Sequence, residues 1–564
     1  MAMNDFPPGL VLILGAFLIP VVGQRIRSIL ILGLPLIVLW VIWGLPDGAF
    51  AVLPLLDYQL TFVRSDSLSR VFATIFSIMT FAGSLYALKQ ERLLELSAVF
   101  AYAGSAIGVV FAGDLISLFI FWEIMALAST LVVLSAGNSN SYQVAMRYFL
   151  VHVFGGSLLL IGILAHIHTS GSTAFEAMEL NSFGTAMILA GFLINAAAPP
   201  LSAWLSDAYP EASYTGTVFL SAFTTKAAVY ALLRGFPGTE ILIFIGIFMI
   251  FYGIIYALLE NDMRRILVYS IVNQVGFMVT GIGIGTEMAL NGVAAHAFTH
   301  IIYKALLLMS AGSVLYMTGK RKCTDLGGLF QSMPITTACG IIGALSISSF
   351  PLTSGFISKS MINQSAADES LIIVWFMLLA ASAGVFLHAG IKFPWFVFFQ
   401  KDSGLRPPDP PWNMKLAMIF FAGLCVGLGV FPEYLYAMLP YPVAYQPYTV
   451  AHVVNMLQVL LFSGFAFFLM LPLMKRTLTI TLDTDWFYRR VFPATFKYLL
   501  AAIWKIDGVI RQAFLERLNG GLAFLSQRHQ GISGLLSRTY PAGSMVMWVA
   551  VILAAYLFLS FITH

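Results

Sequence analysis

The chain has 564 residues, 59% hydrophobic and 10% charged, with 30 Lys and Arg against 26 Asp and Glu. A mean hydropathy of +0.88 excludes a soluble globular domain, and nothing in a formal charge of +4 calls for a nucleic-acid partner. Cys323, Cys339 and Cys425 form no metal-ligand spacing, so neither a metal nor a cofactor is expected.

About sixteen apolar stretches approach the roughly 20 residues that span a bilayer. In chain order they are predicted at 9–23, 28–46, 69–88, 95–112, 114–136, 145–167, 183–206, 215–234, 239–259, 264–285, 288–317, 335–362, 370–399, 413–431, 451–473 and 542–563. The first lacks a basic flank and a cleavage site and reads as a retained membrane helix. Basic residues gather in alternate loops: Arg25 and Arg27, Lys89 and Arg92, Arg147, Arg264 and Arg265, Lys320 to Lys322, Lys401, and Lys475 and Arg476. That bias predicts a multi-pass protein of the bacterial inner (plasma) membrane with its N-terminus outside.

Two spans carry prolines where a helix should continue: Pro199 and Pro200 in NAAAPPLSAW, and Pro351 in SISSFPLTSGF. Proline removes a backbone donor, and in a membrane such a break is tolerated only against protein or a hydrated cavity. Paired breaks point to inverted repeats. Lys226 and Lys392 lie one span beyond each break, at similar offsets. The expected fold is an all-α integral membrane protein with about 14 core transmembrane helices. Its expected parts are N-terminal helices (1–94), a first five-helix inverted repeat (95–235), a second (239–400), C-terminal helices (410–473), a cytoplasmic-side amphipathic lateral segment (474–540) and a terminal transmembrane helix (541–564). The lateral segment interleaves Arg489, Arg490, Lys497, Lys505 and Arg511 with apolar residues, as a surface-lying helix does.

Ionisable residues sit inside the most apolar stretches: Glu123, Lys226, His296, His300, Lys304, Lys359, His388 and Lys392. A charge at mid-bilayer costs about 2.5–3.5 kcal/mol on insertion scales, so such residues mark a pathway or its partner charges. His296, His300 and Lys304, spaced by four, share one helix face. Histidines in register can relay protons, or they can tie helices together. Glu123 needs a partner or must be protonated, because burial disfavours the ionised carboxylate. Lys226 is the expected partner, and a static ion pair is the alternative reading. Phosphate loops, HExxH, GxSxG and dinucleotide fingerprints are absent. No catalytic centre of the chain's own is therefore expected.

The motifs FWEIMALAS, PPLSAWLSDAYPEA, TTKAAVYALLR, NDMRRILVYSIVNQVG, HAFTHIIYKALLLMSAGSVLY, KCTDLGGL and PLTSGFISK occur in order across 60–400. In them the chain resembles the antiporter-like subunits of respiratory complex I, membrane-bound hydrogenases and Mrp-type cation/proton antiporters, and most of all the D-type subunit of the Mrp antiporters. The resemblance implies that Glu123 is the family's buried glutamate, Lys226 its eighth-helix lysine, His296, His300 and Lys304 its central helix, and Lys359 its terminal lysine. The family's seventh-helix lysine falls at Asn195, which does not titrate. The implied function is proton translocation within a multi-subunit membrane complex, with other membrane subunits as partners and protons and Na+ as the ions. The alternatives are a proton-pumping subunit of a complex I-like oxidoreductase or hydrogenase, which would make it part of a translocase, and a non-conducting scaffold.

Overall fold

A helix pairs every internal backbone group within its own segment, so long apolar runs become helices in a bilayer. The computed structural model describes residues 6–55, 58–472, 483–484, 486–529 and 541–563. Among these, 13 helices are long and apolar enough to cross a membrane. Three shorter apolar helices, Pro8–Leu18, Phe183–Asn195 and Pro334–Ile347, account for the rest of the expected spans.

The chain opens with α1 (Pro8–Leu18) and α2 (Gln24–Gly44). An antiparallel hairpin follows, β1 (Gly48–Leu55) against β2 (Tyr58–Ser65), in register from Gly48↔Ser65 to Leu55↔Tyr58. This hairpin departs from the all-α expectation: eight-residue strands escape a search for 20-residue apolar runs. Next comes α3 (Ser67–Tyr86).

Then α4 (Leu93–Phe111), α5 (Leu115–Leu134), α6 (Ser141–Ser170), α7 (Phe183–Asn195), α8 (Ala203–Ala208), α9 (Gly216–Leu220) and α10 (Thr224–Gly235) follow. After them come α11 (Ile241–Leu259), α12 (Met263–Ile284), α13 (Glu287–Thr318), α14 (Pro334–Ile347), α15 (Ser354–Asp368) and α16 (Ile372–Val385). Beyond α16 the chain winds as π-helix over Phe386–Lys392 and Trp395–Phe399.

The two stretches share local devices. Asp114 caps α5 by accepting from the Ile116 and Ser117 amides, and Asp262 caps α12 by accepting from those of Arg264 and Arg265. Each sits in a single antiparallel bridge to the loop two helices on, Asp114↔Ala174 and Asp262↔Lys322. Each stretch also breaks a helix. Between α7 and α8 lie Pro199 and Pro200, with Ala197 at φ 61°; between α14 and α15 lies Pro351, with Ser349 at φ 59°. A non-glycine residue in the left-handed region is strained and persists only where its surroundings impose it. A further break, Ser221–Phe223 between α9 and α10, contains no proline.

Close backbone approach tightens this core. A Cβ on Gly246 of α11 would lie 2.6 Å from the Gly276 carbonyl of α12, the small-residue packing that membrane helices favour. Helices α17 (Trp412–Val430), α18 (Glu433–Tyr436) and α19 (Val450–Met470) complete the first compact unit, Met1–Asp485. The second unit, Trp486–His564, consists of a π-turn at Phe487–Val491, α20 (Phe492–His529) and α21 (Ala542–Thr563). Its described side chains are almost all exposed. Of the expected lateral segment, 474–482, 485 and 530–540 lie outside the described residues.

Candidate functional site

The long helix α13 supplies the centre. His296, His300 and Lys304 are fully buried at successive turns. His296 Nδ1 lies 3.1 Å from Ser358 Oγ of α15, and Nε2 lies 3.1 Å from Gln274 Oε1 of α12. Tyr303 donates to the same Gln274 oxygen at 3.2 Å, and Thr299 Oγ1 lies 2.9 Å from Ser358 Oγ. The next histidine is different: neither ring nitrogen of His300 has a hydrogen-bond partner among the described residues. Its ring stands edge-on to Tyr303, centroids 5.3 Å apart. Lys304 Nζ donates to Ser270 Oγ at 2.9 Å and to the Leu267 carbonyl at 3.2 Å.

Two further lysines use the helix breaks. Lys359 Nζ, on α15, donates at 3.1 Å to the carbonyl of Ile347, the last residue of α14, and lies 4.8 Å from the Phe277 ring centroid. Lys226 Nζ, on α10, donates at 2.7 Å to the Ser221 carbonyl just past α9 and at 3.1 Å to Thr225 Oγ1. An interrupted helix leaves carbonyls without intrahelical donors at a partial negative charge. Both breaks thus hold a buried ammonium without a carboxylate.

Glu123 is placed otherwise than expected. Among the described residues it makes no ion pair with Lys226, and its Oε1 has no hydrogen-bond partner. The carboxylate lies against α6, where a Cβ on Gly156 would come within 2.0 Å of Oε1. Glycine at 156 makes that room, and Lys226 turns to its own break instead.

Asn195 ends α7, and its Oδ1 lies 2.9 Å from His152 Nδ1 of α6. His388 Nδ1 meets the Gly384 carbonyl at 2.8 Å. Lys392 stands apart from the central row. Its Nζ donates to the carbonyls of Ala257, Leu258 and Glu260 at 3.0, 2.6 and 2.6 Å and so caps the C-terminal end of α11.

Sequence reasoning passed over three residues. Gln274 of α12 and His152 of α6 are each one of several polar residues in their helices, and only the buried partners they meet, His296 and Asn195, set them apart. Asp483 is one of four acids in a segment read for its many basic residues; it is 5% exposed and accepts from Tyr269 at 2.5 Å, from Ser206 at 3.5 Å and from Tyr252. Among the described residues no cluster of His, Cys, Asp and Glu could hold a metal.

Residues 112–386 match the family model described as NADH:quinone oxidoreductase/Mrp antiporter, transmembrane. The A/B component of a probable K(+)/H(+) antiporter of Rhizobium meliloti is 27% identical over 400 residues, covering 66% of this chain and 40% of the relative. The D component of the Na(+)/H(+) antiporter of Alkalihalophilus pseudofirmus is 28% identical over 375 residues, 62% of this chain and 74% of the relative. The chain therefore spans well under half of the first relative and about three quarters of the second. Among solved structures, a chain of the Mrp complex from Dietzia sp. DQ12-45-1b shares the fold, with a TM-score of 0.69, 20% identity, and coverage of 82% of this chain and 100% of that one.

Proposed function

We propose that this chain, which over residues 112–386 belongs to the NADH:quinone oxidoreductase/Mrp antiporter family, moves protons through a membrane as one component of a multi-subunit monovalent cation (Na+)/proton antiporter. One observation carries the reading. Lys226, Lys304 and Lys359 are fully buried; Lys226 and Lys304 are each held by a carbonyl and a hydroxyl oxygen and Lys359 by a carbonyl alone, with no carboxylate among their hydrogen-bond partners in the described residues. Neutral dipoles offset only part of what a buried charge costs. The site therefore suits groups that gain and lose a proton in place.

His296 and His300 lie between Lys226 and Lys359 in this scheme, and Gln274, Tyr303 and Ser358 orient His296. The two halves, 95–235 and 239–400, act as repeats of opposite orientation. The paired caps at Asp114 and Asp262 support that arrangement. The loop charge bias supports an N-terminus outside a bacterial plasma membrane.

The test is cation-driven proton movement in everted vesicles carrying the whole complex. Lys304→Ala and Lys359→Ala are expected to abolish the pH change while the complex still assembles. Full activity in both would overturn the reading and favour a non-conducting scaffold. The family description also names an oxidoreductase, which supports a redox-driven proton pump as the second reading. Identification of the co-purifying subunits separates the two.

A further inference from the structure

At Asn195, where the resemblance implies a lysine, the structure puts a histidine beside a side chain that does not titrate. His152 is 1% exposed and Asn195 is 1% exposed. They meet through Nδ1 and Oδ1 at 2.9 Å. The remaining nitrogens, His152 Nε2 and Asn195 Nδ2, are buried without a hydrogen-bond partner among the described residues. Buried polar atoms are normally satisfied, so an unpartnered pair at one place needs a reason.

Resting on the proton-conducting reading above, we propose that His152 of α6 is the proton-carrying residue of the first half, standing in for the non-titratable Asn195, with Glu123 as its counter-charge. The tautomer follows from the contact. Asn195 Oδ1 can only accept, so the neutral ring donates Nδ1–H to it and leaves the Nε2 lone pair free. A proton arriving at Nε2 makes an imidazolium, and its departure restores the neutral ring. The bond to Asn195 survives both steps.

Every element packed against the ring fits this role. From α6 itself, Tyr148 lies 4.2 Å away by ring centroid, and from α8 Trp204 lies 4.7 Å away. Tyr148 hydroxyl donates to Ser129 of α5 at 3.0 Å. Tyr209 packs on the Trp204 ring, and Arg147 is neutralised by Asp207 at 2.7 Å. Among the described residues Glu123 of α5 is an acid on this side of α6: its carboxylate lies at Gly156, one turn along α6 from His152 and on the same face. The repeat gives the position independent weight. His152 lies 22 residues before Ala174, and His300 lies 22 before Lys322, the two bridge residues that correspond between the halves. His152 thus occupies in the first half the place that His300 occupies at the centre. Asparagine at 195 then has a purpose: a lysine there would set a second cation against the imidazolium.

The experiment compares four variants of the full complex in vesicles: His152→Gln, Asn195→Lys, the two combined, and Lys304→Ala. Glutamine keeps a polar group at 152 but cannot titrate. His152→Gln is expected to cut proton flux about a hundredfold, the lower end of what a positioned proton-transferring side chain contributes. Asn195→Lys alone also impairs flux, and the double variant recovers it, because the carrier moves from α6 back to α7. A merely structural role for His152 predicts no recovery. Wild-type flux in an assembled His152→Gln complex would overturn the proposal. If Lys304→Ala is dead in that experiment, only this inference fails. If Lys304→Ala is also fully active, the proton-conducting reading fails with it.

Discussion

Lys359 Nζ and the carbonyl of Ile347 lie 3.1 Å apart across the second helix break. The break thereby becomes a binding place for a cation, and Lys226 repeats the device on Ser221 at 2.7 Å. Proline interrupts α14/α15, yet the interruption at Ser221–Phe223 has none. The freed carbonyl is the common element.

Lys359→Met should separate transport from stability. Losing one hydrogen bond costs about 1 kcal/mol, but removing a buried ammonium relieves a desolvation penalty of at least similar size. The two nearly cancel, so the melting temperature of the detergent-solubilised complex should move little. Proton flux should be lost. A variant that unfolds and still transports whenever folded would contradict this.

Asp483 seats its carboxylate on Tyr252, Tyr269 and Ser206. Asp483→Ala leaves two tyrosine hydroxyls without their acceptor, each at about 1–3 kcal/mol where it stays buried and unpaired. The consequence is local release of Asp483 from α8, α11 and α12. Limited proteolysis of the intact complex should cut the variant next to position 483 faster than the wild type, with α1 to α16 unaffected. Equal cleavage rates would show that the seat holds nothing.

Asp66 lies between β2 and α3, outside the spans. Burial pushes its carboxyl up, but the Arg234 guanidinium and the Ser69 amide outweigh burial and leave it below the ordinary aspartate value of 3.8. A depressed folded value means that its contribution is fully present above the unfolded pKa and is lost as pH falls through the folded one. Asp66→Asn should therefore lower the melting temperature at pH 7. The gap to wild type should close below about pH 4, where the unfolded carboxyl takes up its proton. A gap that persists unchanged into acid would refute the assignment.

Much of this was legible from residue order alone. Hydropathy located the spans, proline located two of the breaks, and fourfold spacing put His296, His300 and Lys304 on one face. Partner choice was not legible, because it depends on which helices touch. Glu123 has its place through Gly156 on another helix, and Lys226 has its acceptor through a break without proline. Lys392 matched Lys226 by offset, but the π-helical winding of Phe386–Lys392 carries its side chain to the end of α11. His152 gave only a weak signal, one of three histidines (with His166 and His168) in a 30-residue helix.

Gly156 offers the sharpest test of where Glu123 sits. In a helix interior, Gly→Ala ordinarily stabilises by about 1 kcal/mol. Here the new Cβ would fall 2.0 Å from Glu123 Oε1, well inside any tolerable contact, so the carboxylate must leave or α5 and α6 must part. Overpacking of this kind costs about 1–3 kcal/mol, more than the propensity gain. Gly156→Ala should therefore destabilise the complex and lower flux. Glu123→Ala in the same chain should restore the melting temperature by removing the clash, but not the flux, because the counter-charge has gone. Restoration of neither would place Glu123 elsewhere than against α6.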